Sequence, residues 1–151
     1  GVCVLMQITH SLRKLLVASL FGIYAINAPA QEHDIMVVAN IDNQTVKLDK
    51  VDIRNLFMGN ASDVVLEPVS LPPQTLARAV FNTKIIGLTE SRIQSYWSQM
   101  RFSGRSRPPR EISTVDELIS YVSSHKDTVA FVPASADIPA HLTVVYSTAK
   151  M

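Results

Sequence analysis

Cysteine is almost absent from this chain, because the 151 residues contain one, Cys3. Cys3 precedes an apolar N-terminal run that has the features of a cleaved segment. After cleavage the protein would have no thiol, which excludes a disulfide framework and a cysteine nucleophile. No cysteine follows the apolar run either, so the lipid anchor of many exported bacterial proteins is not predicted.

Motifs for metal binding and catalysis are also missing. His33, His125 and His141 are isolated, without the His-x-x-x-His or His-Glu-x-x-His spacing of helical metal ligands. Ser103 lacks the Gly-x-Ser-x-Gly pattern of a nucleophile elbow, and the chain has no Gly-x-x-x-x-Gly-Lys phosphate loop. The sequence therefore predicts a protein that is not an enzyme and uses no metal and no cofactor.

The N-terminal region has the pattern of an export signal. Met6 is a suitable start site, and Arg13 and Lys14 precede the apolar residues 15–26. Residues 28–30, Ala-Pro-Ala, form a small-x-small cleavage site. The apolar run is shorter than the roughly 20 residues that cross a bilayer. We therefore expect a signal peptide that is cleaved after Ala30 and a protein that resides in the periplasm.

The remaining residues 31–151 are expected to form a single domain. Their number is enough for one modest core, and no internal repeat or long linker divides them. The sequence has 14 basic and 13 acidic residues, and loss of Arg13 and Lys14 leaves 12 against 13, a net charge of −1. A slightly acidic exported domain is not expected to bind nucleic acid.

Hydrophobic patterning predicts alternating strands and helices. Residues 35–39 and 129–132 are continuous apolar runs, typical of strands that are buried on both faces. Residues 64–71 and 142–146 are weaker strand candidates. Start signals predict four helices, which begin near Asp49, Pro73, Thr89 and Ser113 or Thr114. Strands separated by helical crossovers predict an α/β fold with a mostly parallel sheet that is flanked by helices.

A segment rich in arginine lies between the third and fourth predicted helices. Residues 101–110, here called the arginine loop, read Arg-Phe-Ser-Gly-Arg-Ser-Arg-Pro-Pro-Arg. Fixed positive charge, hydroxyl groups and an adaptable backbone are the features that hold an oxyanion. The alternative that Arg101, Arg107 and Arg110 are solvated, or paired with nearby acids such as Glu111 and Asp116, stays open.

Four segments together resemble one protein family. Residues 51–59 form a helix that ends in an Ile-Phe-Leu-Gly-like motif, and Arg78 with Phe81 fits an Arg-x-x-Phe helix. Residues 96–97, Tyr-Trp, precede the arginine loop, and residues 129–133 fit a late strand. This set resembles the short substrate-binding-like proteins of phosphate ABC transporters, within the type II periplasmic binding protein superfamily.

The resemblance implies one lobe of that fold. Full-length receptors hold their ligand between two lobes, and this chain can supply only one of them, or a reduced core of the two-lobed fold. Typical phosphate receptors have Ser-Gly-Thr before the helix that follows the second strand. Here residues 71–75 read Leu-Pro-Pro-Gln-Thr, so only Thr75 keeps a hydroxyl. The resemblance is therefore stronger for the fold than for the ligand.

The predicted oxyanion site draws on two segments. Thr75 begins a helix, where backbone N–H groups lack partners. Ser103, Gly104 and Arg105 supply further donors, with Arg107 as an additional candidate, since Gly104 lets the backbone form an anion-holding nest. Arg105 and Arg107 can each donate to two oxygens of one anion. Phosphate or a related oxyanion is the predicted ligand.

We expect an exported solute-binding-like protein that is associated with phosphate ABC transport or sensing. Its protein partner would be a membrane permease or an envelope sensor. An open lobe lacks the second wall that excludes water, so weak binding is expected unless two copies face one another as a homodimer. Two alternatives remain open, namely an interaction or sensory module that reuses the receptor fold without a ligand, and an enzyme.

Overall fold

The computed structural model describes residues 33–104 and 106–149. The predicted signal peptide and Arg105 lie outside the described residues. The strands and α-helices of the described part are β1 (Ile35–Ala39), α1 (Lys50–Met58), β2 (Glu67–Ser70), α2 (Leu76–Phe81), α3 (Glu90–Ser103), β3 (Arg110–Glu111), α4 (Val115–Ser124), β4 (Thr128–Pro133) and β5 (Thr143–Ser147). A π-helical segment, Asn82–Ile86, continues α2. No helix in this part of the chain is long and apolar enough to span a membrane.

The five strands form one open sheet in the order β3-β2-β4-β1-β5. β2 runs parallel to β3 and β4, whereas β1 runs antiparallel to β4 and β5. The prediction of an α/β domain is confirmed, but the prediction of a mostly parallel sheet is wrong. β1 is inserted against the direction of its neighbours, and a strand that is buried on both faces has the same apolar pattern in either direction.

The helices begin where the sequence predicts. Asp49 and Asp52 form a capping box, in which Asp49 Oδ1 accepts from the Asp52 N–H at 2.8 Å and Asp52 Oδ2 accepts from the Asp49 N–H at 3.1 Å. The hydroxyls of Thr75, Thr89 and Thr114 each accept a hydrogen bond from the backbone N–H three residues later. Local capping chemistry therefore sets all four starts.

Two predicted boundaries need correction. α3 extends to Ser103, so Arg101 is helical and the arginine loop is shorter than the sequence pattern indicated. Gly104, at φ 64°, ends this helix in the left-handed conformation. The strand predicted over residues 64–71 is limited to β2, because within that range Glu67–Ser70 are the residues that pair with β3 or β4.

The core is built around β1, β4 and three phenylalanine rings. Every residue of β1 is buried, and so are five of the six residues of β4. The rings of Phe81 on α2 and Phe131 on β4 stack with centroids 4.1 Å apart. Phe57 on α1 packs edge-on against Phe81 at 4.8 Å. This cluster joins two helices to the centre of the sheet and fixes the position of α2.

Removal of the central ring should destabilise the domain strongly. Phe131 is fully buried, so Phe131→Ala should lower the free energy of unfolding by about 3–5 kcal/mol. The matched control is Phe102→Ala, since Phe102 is 95% exposed and its loss should change the free energy by less than about 0.5 kcal/mol. Urea denaturation measures both, and equal losses would contradict the described core.

Candidate functional site

A cavity of about 150 Å³ lies at the carboxyl ends of the parallel strands β2 and β3. This edge of a parallel sheet is where ligands of open α/β folds commonly bind. Apolar walls come from α1, α2 and α3, while the polar lining consists of Ser70, Arg78, Asn82, Gln94, Arg101 and Glu111. Pockets for drug-sized ligands measure roughly 300–1,000 Å³, so this cavity suits a small ion instead.

An ion pair between Arg78, which lines the cavity, and Glu90 lies beside it. Arg78 on α2 is only 7% exposed. Its Nε and Nη2 atoms donate to Glu90 Oε2 and Oε1 at 3.0 and 2.7 Å, a bidentate contact. Glu90 is the first residue of α3, where the positive end of the helix dipole favours a carboxylate. The pair therefore joins α2 to the start of α3.

The carboxylate of Glu90 receives two further hydrogen bonds. Asn82 Nδ2 donates to Oε2 at 2.7 Å, and Gln94 Nε2 donates to Oε1 at 2.7 Å. Burial acts to raise the pKa of Glu90, but the amide donors and the Arg78 charge outweigh it. The pKa of Glu90 consequently lies below its ordinary value of 4.5, and the carboxylate stays charged at neutral pH.

The opposite side of the Arg78 guanidinium faces the ends of β2 and β3. Nη1 donates to Ser70 Oγ at 3.0 Å and to the Leu71 carbonyl oxygen at 2.9 Å. Glu111 Oε1 lies 3.5 Å from the same nitrogen. Arg78 therefore contacts two carboxylates, and its charge is compensated within the protein.

Sequence reasoning noted Arg78 as part of an Arg-x-x-Phe pattern but did not include it in the site. One feature of the sequence could have indicated that Arg78 is buried. It lies between Ala77 and Phe81, which share the inward face of α2. The partners could not be read from spacing, because Glu90 lies 12 residues and Glu111 33 residues further along the chain.

Two hydroxyls predicted to bind an oxyanion take part in local hydrogen bonds. Thr75 Oγ1 donates to the Pro72 carbonyl oxygen at 2.8 Å and accepts from the Arg78 N–H at 3.3 Å. Ser103 Oγ donates to the Met100 carbonyl oxygen at 2.8 Å. Neither residue lines the cavity described above. Each hydroxyl would have to leave its helix partner before it could donate to a ligand.

The other predicted donors occupy different surroundings. Gly104 ends α3 and is exposed, and Arg107 is exposed in a surface groove near the start of β2. The role of Arg105 stays a prediction, since it lies outside the described residues. Among the described residues of the arginine loop, Arg101, Pro108 and Pro109 line the cavity. The structure thus brings part of the loop to the Arg78 site.

Arg101, Arg107 and Arg110 are exposed, as the alternative of solvated arginines expects, but the proposed pairing with Glu111 is wrong. Glu111 pairs with Arg78 and not with an arginine of the loop among the described residues. The Arg110 guanidinium carbon lies 5.4 Å from the centre of the Tyr121 ring, a cation–π contact. No group of three or more potential metal ligands occurs within residues 33–104 and 106–149.

The middle of the arginine loop is packed against the end of α1. Ser106 lies so close to Gly59 that a Cβ atom at position 59 would be 2.6 Å from Ser106 Oγ and 3.2 Å from the Trp97 ring. Gly59 also ends α1 with φ 69°. A glycine here therefore serves both the left-handed backbone and the close approach of the loop.

Comparison with solved structures identifies a similar fold. The chain is similar to an ABC-type phosphate transport receptor from Vibrio cholerae, with a TM-score of 0.52 and 14% sequence identity. The match covers 74% of this chain and 44% of that receptor. No protein-family model and no curated protein sequence matches the chain. The similarity supports the predicted fold of one periplasmic binding protein lobe, although the sheet is mixed.

The contact between Gly59 and Ser106 can be tested with a matched pair of variants. Gly59→Ala and Gly87→Ala both place a side chain on a left-handed residue, which costs roughly 1–2 kcal/mol. A Cβ at position 87 meets nothing within 4 Å, whereas one at position 59 meets the loop. Gly59→Ala should therefore lose more stability in urea denaturation than Gly87→Ala. Equal losses would show that the loop does not pack there.

The amide bond from Gln94 should stabilise the domain only while Glu90 is charged. Gln94→Ala should lower the free energy of unfolding at pH 7 by about 0.5 kcal/mol relative to Gln99→Ala, an exposed position on the same helix. Because the pKa of Glu90 is lowered on folding, the charged carboxylate stabilises the folded domain above pH 4.5. This stabilisation is lost as the pH falls below 4.5 and through the lowered pKa. The difference between the variants should shrink between pH 5 and pH 3. A difference independent of pH would exclude this role of Glu90.

Proposed function

We propose that this chain is an exported solute-binding-like protein that binds phosphate or a related oxyanion and serves phosphate ABC transport or sensing. The resemblance of its segments to phosphate receptor proteins and its fold similarity to one such receptor support this proposal. The chain spans 44% of that receptor, so a complete transport cycle would require other components. A membrane permease or an envelope sensor is the partner that such a role needs.

One observation carries the proposal: a buried arginine borders a small cavity at the carboxyl ends of parallel strands. The guanidinium of Arg78 carries a fixed positive charge, which attracts the oxygens of phosphate. In the water-poor surroundings of Arg78 this attraction is stronger than at the surface. Ser70 Oγ and the Asn82 and Gln94 amides line the same cavity.

The arginine loop supplies the second positive charge. Arg101 lines the cavity from the last turn of α3, and it is exposed, so its side chain can turn toward an anion. In this proposal Arg101 is the principal hydrogen-bond donor, whereas Arg78 attracts the anion through its charge, because its nitrogens already donate within the protein. Arg105 and Arg107 are additional donors from the same loop, and the Thr75 and Ser103 hydroxyls bind only if they leave their helix partners.

We propose the periplasm as the location, on the strength of the N-terminal charge, apolar run and Ala-x-Ala site. A single lobe leaves the cavity open on one side, and open sites hold anions weakly because water competes for the donors. A homodimer in which a second copy covers the opening would strengthen binding.

Calorimetric titration tests the proposed function. Phosphate and then sulfate are added to the purified full chain at low ionic strength, and binding by the wild-type protein is compared with that of Arg101→Ala. We expect saturable binding that Arg101→Ala weakens about tenfold, since it removes one charge-assisted contact. Arg92→Ala is the control, because Arg92 is an exposed arginine on the same helix outside the cavity lining. Arg105→Ala tests the predicted contribution of the loop.

Absence of heat with either anion at millimolar concentration would reject the oxyanion site. It would favour the second candidate, an interaction or sensory module that reuses the receptor fold. Two observations support that candidate: the Thr75 and Ser103 hydroxyls are used locally, and Phe102, in the arginine loop, is 95% exposed. Co-purification of a membrane protein that Phe102→Ala abolishes would then identify the interaction surface.

A further inference from the structure

The guanidinium of Arg78 has a closed side and an open side. On the closed side Nε and Nη2 donate to Glu90, whose carboxylate also accepts from Asn82 and Gln94. A ligand that displaced Glu90 would have to replace all four of these hydrogen bonds. The closed side is therefore the less accessible side of Arg78.

The open side carries a much weaker contact. Nη1 has two N–H groups, and it already donates to Ser70 Oγ at 3.0 Å and to the Leu71 carbonyl oxygen at 2.9 Å. Glu111 Oε1 lies 3.5 Å from this nitrogen, a distance at which a hydrogen bond contributes little. Attraction between opposite charges is the main interaction between Glu111 and Arg78.

Glu111 can also move without disturbing the strand that carries it. Its side chain is 45% exposed, against 29% for Glu90. Backbone pairing of Arg110 with Val69 and of Glu111 with Ser70 holds β3, and the Ile112 N–H donates to the Ser70 carbonyl oxygen at 2.9 Å. Rotation of the Glu111 side chain breaks none of these bonds, and water can solvate the released carboxylate.

We propose that Glu111 is a resident counter-anion, whose carboxylate occupies the place beside Arg78 that an oxyanion would take. This inference rests on the proposed function and names Glu111 as the residue that limits the affinity of the site for an oxyanion. The charged groups around the place are Arg78 and Arg101, which attract an anion, and Glu90, which lies across the guanidinium. Binding of a dianion then requires Glu111 to turn away, and the loss of its attraction to Arg78 weakens the net affinity.

Glu111→Gln tests this inference, because it keeps the size of the side chain and removes its charge. Phosphate titration into the full chain should show binding about tenfold tighter than that of the wild-type protein, or more. Glu111→Asp keeps the charge and should gain much less affinity than Glu111→Gln. Glu117→Gln makes the same charge change at an exposed position of α4 outside the cavity lining, and it should leave the affinity unchanged.

The outcomes separate the two proposals. If the wild-type protein binds phosphate and Glu111→Gln binds no more tightly, the counter-anion is rejected while the proposed function stands. If Glu111→Asp gains as much as Glu111→Gln, space and not charge is responsible, and the inference is again rejected. A Glu111→Gln protein that fails to fold would show that Glu111 is a structural partner of Arg78 and would also reject the counter-anion. If no variant binds phosphate or sulfate, both proposals fail.

Discussion

The ion pair between Arg78 and Glu90 is the contact on which the arrangement of the candidate site depends. It joins α2 to the first turn of α3, and the remaining nitrogen of Arg78 reaches Ser70 at the end of β2. Arg78 is buried, so loss of Glu90 would leave its charge without its main partner. The pair therefore helps to hold the start of α3 against α2, and the arginine loop begins at the other end of α3.

The mixed sheet gives the site its position. β2, β3 and β4 point the same way, so the ends of β2 and β3 meet at one edge, while the antiparallel β1 closes the core between β4 and β5. The fold similarity to a phosphate transport receptor covers 44% of that protein. A lobe can preorganise donors on one wall of a site, but it cannot exclude water from the other.

The same arginine serves stability and the proposed binding. A guanidinium that is buried without partners would destabilise the domain, so the protein surrounds Arg78 with Glu90, Glu111, Ser70 and a carbonyl oxygen. The compensation that permits burial also lowers the positive potential that a ligand would meet. At this position, a contact that stabilises the domain without a ligand also weakens anion binding. The contact of Glu111 with Arg78 would have both effects in the proposed site.

The sequence by itself determined the local features of this protein. Asp49, Thr75, Thr89 and Thr114 mark helix starts because a cap needs only residues within one turn. The apolar runs of β1 and β4 predicted both strands correctly. They did not predict the strand directions, since a strand that is buried on both faces has the same apolar pattern in a parallel or an antiparallel pair. Tertiary structure alone decided that Arg78 meets Glu90 and Glu111, and that the Thr75 and Ser103 hydroxyls take nearby carbonyl oxygens. Pairing across a fold depends on which elements pack together, and the order of residues along the chain does not reveal that.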